Sequence, residues 1–283
     1  MIGVFNINSL NFDMFDKDRE LQKIEGRPLF KGPFVSGNEG KHGYDTFDTV
    51  ILSDQFIPQA DKFIAKIKIA HLEEPFCLIP QIYQYTLQNL DKFTLVFTHH
   101  KEFVGLDPKI KFYPVGGCFL DRKDIKLYPK TKNCSIIASS KNFLQGHVLR
   151  HRVIKELNPN EITIKQGEPF EYKLNYLKDF RYSIVIENCK QDYYFTEKLI
   201  DCIKTGTIPI YWGCPSISNF FDINGILQWD TLEDLLVILK NISEEDYLSR
   251  KTSLVYNYGE VNKYFYAYEW IWNEIVKCNS IPK

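Results

Sequence analysis

No run of this 283-residue sequence approaches the about 18 consecutive apolar residues that a membrane-spanning helix needs. The opening Met1-Ile-Gly-Val-Phe-Asn-Ile-Asn lacks the basic start and long apolar stretch of a secretory leader. These absences lead to the expectation of a soluble, cytoplasmic protein without an integral span. Peripheral membrane association fits the same pattern, as does a chain trimmed of its anchor. A net charge of −1 excludes a global pull toward nucleic acid or anionic membrane, so no nucleic-acid partner is expected. The seven cysteines are odd in number, scattered, and include no C-x-x-C pair. They read as free thiols of a reducing compartment, not a disulfide framework.

Several chemistries are also missing. No His/Cys cluster has metal-ligand spacing. There is no G-x-S-x-G elbow and no phosphate-binding G-x-x-x-x-G-K-[ST] loop. Asp16-Lys17-Asp18 matches the metal-binding D-x-D pattern but lacks a preceding buried strand, so it is discounted. The expectation is therefore no metal site and no obligatory cofactor, with a divalent ion (Mn or Mg) stimulatory at most.

What is present suits a two-domain α/β protein. The length accommodates two domains of about 100–150 residues. Hydrophobic (44%) and charged (25%) fractions are ordinary for a globular chain, so neither disorder nor a membrane class is indicated. The aromatic fraction of 15% is high and suits rings that stack on sugars or bases; an aromatic core would give the same composition.

Short apolar, β-branched runs alternate with helical patterns, the mark of parallel α/β units. Strands are expected at residues 2–7, 49–53, 67–72, 93–98 and 111–113, with helices at 59–66 and 79–91. Residues 8–45 are aperiodic and polar, and read as an elaborated surface region or flap. Residues 114–133, with Pro114, Gly116, Gly117 and Pro129, carry linker chemistry. A second series follows: strands at 134–138, 182–186 and 207–211, and helices at 147–157, 195–205, 232–240, 244–256 and 262–277. Asp230 is the expected cap of the helix beginning at Leu232. The fold class is thus α/β, with two facing Rossmann-like domains whose strand ends would face a shared cleft.

The segment from Arg181 to Pro215 concentrates the chemistry. A buried strand ends abruptly in Glu187-Asn188, where ligands of open α/β sheets bind. A polar, aromatic loop leads to Thr196-Glu197-Lys198, which opens a helix. Leu199, Ile200 and Ile203 on that helix can pack on the sheet, and Gly206 is placed to end it. A helix N-terminus offers unpaired N–H groups and partial positive charge to a diphosphate, and Lys198 adds a full charge. Glu197 can accept both hydroxyls of a ribose. Tyr193 and Tyr194 can stack on a ring or donate to phosphate.

The run Glu187-Asn188, Asp192-Tyr193-Tyr194-Phe195-Thr196-Glu197-Lys198 and Gly206-Thr207-Ile208-Pro209-Ile210-Tyr211-Trp212-Gly213 closely resembles the signature of the α1,3/4-fucosyltransferases, glycosyltransferase family 10. The resemblance implies a GT-B type glycosyltransferase architecture, the donor GDP-β-L-fucose, and inversion at the anomeric carbon. The implied division is an acceptor-side domain over 1–125 and a donor domain over 126–283, with the last helix packing back on the first. Glu197 would hold the ribose, and Lys198, Tyr194 and Asn188 would face the diphosphate or fucose. Ser139-Ser140-Lys141 followed by Leu149-Arg150-His151-Arg152 resembles the family's stretch that supplies a diphosphate-binding arginine. Arg150 is the better match and Arg152 the fallback, and a guanidinium fork suits phosphate.

Inverting transfer needs one general base for the acceptor hydroxyl. Glu73-Glu74-Pro75 resembles the family's glutamate–small residue–proline element, with Glu73 at the base position. Glu74 stands where the family has a small residue. His99 and His100 follow a further strand; either would be a candidate acceptor contact, and a surface position is the plainer expectation. The partners implied are a nucleotide-sugar donor and a glycan acceptor. Two alternatives share these residues: a transferase for another nucleotide-linked sugar, and a non-catalytic nucleotide-sugar- or glycan-binding relative.

Overall fold

The computed structural model describes residues 2–5, 46–157, 162–167, 170–265 and 267–277. The aperiodic stretch 8–45, with Asp16-Lys17-Asp18, lies outside the described residues. The chain forms two compact units, residues 1–113 with 271–283, and residues 114–270.

In the first unit β1 (Ile2–Phe5), β2 (Thr46–Ser53), β3 (Ile64–Leu72), β4 (Leu95–Thr98) and β5 (Ile110–Phe112) form one parallel sheet in that order. Parallel strands are covered on both faces and so read as continuous apolar runs. Val50, Ile51 and Leu52 obey this, with no exposure at all. Helix α1 (Pro80–Gln88) opens with proline at its first turn, where no N–H is needed. Ser53 lies opposite His71, and Leu72 opposite Thr98, so β2, β3 and β4 end together at the sheet's carboxyl edge.

The helix expected at 59–66 is corrected. A 3-10 turn occupies Asp54–Lys62, with Pro58 inside it, and β3 already begins at Ile64. Proline denies the chain one of the N–H groups that a regular helix uses.

In the second unit β6 (Lys132–Ala138), β7 (Ile162–Gln166), β8 (Phe180–Ile186), β9 (Ile208–Trp212) and β10 (Leu227–Gln228) form a parallel sheet in the order β10-β9-β8-β6-β7. The edge strands β7 and β10 are additions to the sequence reading; both are short. The helices are α2 (Gln145–Glu156), α3 (Glu197–Lys204), α4 (Leu232–Asn241), α5 (Glu244–Ser249) and α6 (Lys251–Glu260); the last helix, α7 (Ala267–Lys277), begins in this unit, and its residues from Ile271 on are counted with the first. The stretch expected as one helix over 244–256 is broken at Arg250 into α5 and α6. Both sheets are Rossmann-like parallel α/β layers. Among the described residues no helix is long and apolar enough to cross a membrane.

The order in which strands are added reverses beside β6, because β7 lies on one side of it and β8 on the other. Ligands of open α/β sheets bind outside the strand ends at such a switch point. Around it the local rules are obeyed. Leu199, Ile200 and Ile203 of α3 are fully buried in the core with β8 and β9. Gly206 sits at φ +75° just beyond the helix; its N–H bonds Ile203 O, and that of Thr207 bonds Cys202 O. That is a Schellman end, which needs a left-handed residue. Gly116 donates to Phe195 O and Gly117 to Tyr264 O, both at 2.9 Å, so the glycine pair is knitted into this unit.

Helix α4 corrects one expectation. Thr231, not Asp230, is its cap: Thr231 Oγ1 accepts from Asp234 N, and Asp234 Oδ2 accepts from Thr231 N. Asp230 instead pairs with Lys190 at 2.6 Å on the surface. Thr231→Ala is expected to lose about 1 kcal/mol. Asp230→Ala should stay within about 0.5 kcal/mol of wild type. Urea unfolding of the two variants checks the assignment.

Candidate functional site

The residue that follows β8 sets the geometry. Glu187 continues the ladder by donating its backbone N–H to Trp212 O at 2.9 Å. Its side chain has no solvent exposure, and a buried carboxylate is costly unless bonded. Oε1 accepts Thr196 N at 2.9 Å and Oε2 accepts the Thr196 hydroxyl at 2.7 Å. Lys198 Nζ stands 3.6 Å from Oε2. Burial pushes the Glu187 pKa up, while Lys198 and the Thr196 bonds oppose the rise. Glu187 therefore brackets the start of α3 against the end of β8. The strand-turn beyond β9 closes over it: a Cβ on Gly213 would lie 2.5 Å from Glu187 Cγ.

Helix α2 approaches the same strand end. Gly146 donates to Asn188 O at 2.9 Å, and a Cβ there would fall 1.7 Å from Glu187 O. Only glycine permits that contact. One turn apart on α2, His147 and Arg150 are both buried against this end. Arg150 donates from Nε to Ile186 O at 2.9 Å, and from Nη2 to the same carbonyl and to Asn188 Oδ1 at 3.1 Å. Burial lowers the Arg150 pKa, countered by Glu187, Glu197 and Tyr194; a guanidinium stays charged. Arg152, two residues on, is exposed and apart from this group.

His147 is not among the sequence candidates. Its Nδ1 accepts the Leu144 N–H at 3.3 Å, so it is unprotonated there. Burial, then Arg150, Lys141 and Lys198, push its pKa down to about 4. Its spacing of three from Arg150 is the signal that places it on the same helix face.

At α3, Thr196 is the N-cap, and its Oγ1 accepts from Lys198 N at 3.4 Å and Lys198 Nζ at 3.0 Å. Lys198 Nζ also bonds Glu197 Oε1 at 3.1 Å. The Glu197 side chain is 15% exposed, and Lys198 keeps 25%. Burial alone would raise the Glu197 pKa, but Lys198 and Lys173 outweigh it and hold it at about 2. One turn later Asp201, fully buried, bonds Lys173 at 2.5 Å. Glu197 and Asp201 share one helix face, which calls for a cation. That this cation is Lys173 is a distant contact with no local signal.

Tyr193 and Tyr194 differ. Tyr193 takes a left-handed φ of +63°, with its N–H on Ser216 Oγ at 3.0 Å and its ring edge-on to Phe220. Left-handed backbone at a bulky residue is uncommon and concentrates at functional loops. Tyr194 is 2% exposed, its ring closed off from solvent. Arg150, Asn188, Glu187, Thr196, Glu197 and Lys198 thus form one connected group beside the β6/β8 switch point.

The first unit holds a separate group at its own strand ends. Glu73 and Glu74 follow β3 and are half-buried. Their backbone N–H groups both donate to Asp54 Oδ1, at 3.0 and 3.3 Å. Glu74 O accepts the Tyr83 hydroxyl at 3.1 Å. His99, after β4, is fully buried, which corrects the expected surface position; burial, then His100 and His71, push its pKa to about 3. His71 Nδ1 pairs with Ser53 Oγ at 2.9 Å. Asp54 is the residue here that sequence reasoning misses, because its partners lie 19 and 20 residues away in the chain.

No family model matches the chain. Over 56 residues, 20% of its length, it is 38% identical to an α-(1,3)-fucosyltransferase of Helicobacter pylori. Over 93 residues, 30% of its length, it is 24% identical to an α-(1,4)-fucosyltransferase of Arabidopsis thaliana. Over these stretches the chain is similar to α1,3- and α1,4-fucosyltransferases. The matched stretches span 12% and 23% of those two relatives. Among solved structures, a UDP-forming α,α-trehalose-phosphate synthase from Burkholderia xenovorans is similar at 10% identity and TM-score 0.50, over 76% of this chain and 70% of that one. That likeness is one of fold, the GT-B glycosyltransferase fold. An α1,3-fucosyltransferase with GDP is similar at 16% identity and TM-score 0.49, over 74% of this chain and 70% of the other.

Two outcomes test the bracket. Thr196→Ala removes the cap and the hydroxyl bond to buried Glu187, and is expected to cost about 2–3 kcal/mol, with Thr196→Ser retaining most of it. Glu197 has a lowered pKa, so its stabilising contribution is present above its ordinary value near 4.5 and is lost as pH falls toward about 2. The thermal-stability deficit of Glu197→Gln against wild type should therefore shrink over that window, as read by circular dichroism melts.

Proposed function

We propose that this protein is an inverting fucosyltransferase that moves L-fucose from GDP-β-L-fucose to a hydroxyl of a glycan acceptor. The observation that carries this reading is the connected group Arg150–Asn188–Thr196–Glu197–Lys198 at the helix start beside the sheet's switch point. The local similarity to an α-(1,3)- and an α-(1,4)-fucosyltransferase supports a fucosyl donor. Arg150 spends Nε and Nη2 on Ile186 and Asn188, which leaves Nη1 for a phosphate oxygen. Lys198 supplies the second positive charge and α3 its free N–H groups, so the leaving diphosphate is stabilised electrostatically. Glu197, held ionised, accepts the two ribose hydroxyls. His147 and Lys173 act through others: the first orders the start of α2, the second holds Asp201 and the charge of Glu197.

Glu73 is the general base in this reading. Its carboxylate takes the proton of the acceptor hydroxyl as that oxygen attacks the anomeric carbon. The bond from that carbon to the phosphate oxygen breaks, GDP leaves with the electron pair, and the β-linked donor gives an α-linked product. Glu74, tied to the same turn, is the nearest alternative base.

The test begins with thermal shift against GDP, GDP-fucose, UDP and UDP-glucose, followed by a transfer assay. GDP and GDP-fucose are expected to stabilise. Stabilisation by a uridine nucleotide alone would assign another donor, and donor binding without any transfer would mark a non-catalytic relative. Lys198→Ala should weaken GDP binding by about tenfold or more, equivalent to about 1.4 kcal/mol. Unchanged affinity would remove it from the site. Glu73→Gln should lower transfer by at least about 100-fold while donor affinity holds.

A further inference from the structure

We propose that Asp54 is a positioning residue for transfer, anchoring the Glu73–Glu74 turn so that the base keeps one orientation. This rests on the reading of Glu73 as the base. Asp54 follows β2 directly, and the register that sets Ser53 opposite His71 brings it beside the turn after β3. A single oxygen, Oδ1, accepts the N–H groups of both glutamates, at 3.0 and 3.3 Å. Two consecutive amides aimed at one acceptor fix the peptide plane between them, and with it the directions in which the two side chains leave the backbone.

The arrangement is costly in three ways. Asp54 is a non-glycine residue at φ +46°. Its carboxyl is 1% exposed, and Oδ2 has no hydrogen-bond partner among the described residues. Burial, with the neighbouring Glu73 and Glu74 charges, raises its pKa well above the ordinary carboxylate range. Backbone strain and an orphaned polar atom at one residue persist where geometry serves function. An ordinary loop start could be made by glycine without any of these costs. What glycine cannot supply is the acceptor oxygen.

Three substitutions separate these roles. Asp54→Asn keeps an acceptor oxygen and tolerates the left-handed backbone. Asp54→Ala loses the oxygen and keeps the strain, whereas Asp54→Gly loses the oxygen and relieves the strain. With GDP affinity and acceptor KM unchanged, kcat should fall by about 100-fold in Asp54→Gly and Asp54→Ala, and stay within about threefold of wild type in Asp54→Asn. The measurement is steady-state transfer kinetics below each variant's melting temperature, with GDP titrated calorimetrically. Should Asp54→Ala fail to fold, Asp54→Gly decides. Wild-type kcat in Asp54→Gly overturns the proposal, and so does an Asp54→Asn variant as slow as Asp54→Gly. Glu73→Gln is run beside them. If it transfers normally, the base assignment fails; if it is inactive while Asp54→Gly is active, only the anchoring role fails.

Discussion

The candidate site of the second unit depends on one buried carboxylate. Glu187 lies at the end of a strand with no access to solvent, and both its oxygens are taken by Thr196. Those two bonds set where α3 begins. Because α3 begins there, Glu197 and Lys198 fall in its first turn, beside the strand end rather than on the solvent face. The carbonyl of the same Glu187 bounds the floor against which Gly146 packs, and this brings Arg150 to Ile186 and Asn188. A neutral residue at 187 would remove the charge that Lys198 faces and an acceptor that Thr196 uses. The charge pattern follows from the same bracket: two glutamates and two cations share a half-buried group, where electrostatic interactions are stronger than in water.

The first unit solves a comparable problem differently. Its strand-end carboxylates stay half-buried, and the residue buried beneath them, Asp54, binds their backbone instead of their side chains. Its neighbours His71 and His99 are fully buried, with pKa values pushed down to about 3, and so stay neutral at physiological pH. Glu73 and Glu74 are the half-buried carboxylates at this end of the sheet, as the proposed base requires.

Much of this was legible in one dimension. Apolar β-branched runs mark most strands, and the candidate site of the second unit draws on a contiguous segment, so its motif survives as a string from Glu187 to Gly213. Arg150 is readable because it lies on a helix that follows a recognisable strand. The failures have physical causes. Asp54–Lys62 has helical composition, but Pro58 and the early start of β3 leave room only for a 3-10 turn. Edge strand β10 has only two residues, and β7, Ile-Thr-Ile-Lys-Gln, interleaves polar residues instead of forming a continuous apolar run. Thr231 competes with Asp230 for the same cap, and the reciprocal bond from Asp234 decides it. Lys173 and Asp54 act through partners distant in the chain, which no local pattern reveals. His99 reads as polar and is buried, because its place beyond β4 is set by neighbouring strands.

The central claim is inverting transfer from GDP-β-L-fucose, and stereochemistry tests it most directly. Proton NMR of the anomeric signal, followed through the first turnovers with water as the acceptor, distinguishes the two outcomes before the sugar mutarotates. The account predicts that α-L-fucose appears first. The appearance of β-L-fucose first, or turnover of a uridine-linked sugar with GDP-fucose left intact, would contradict it.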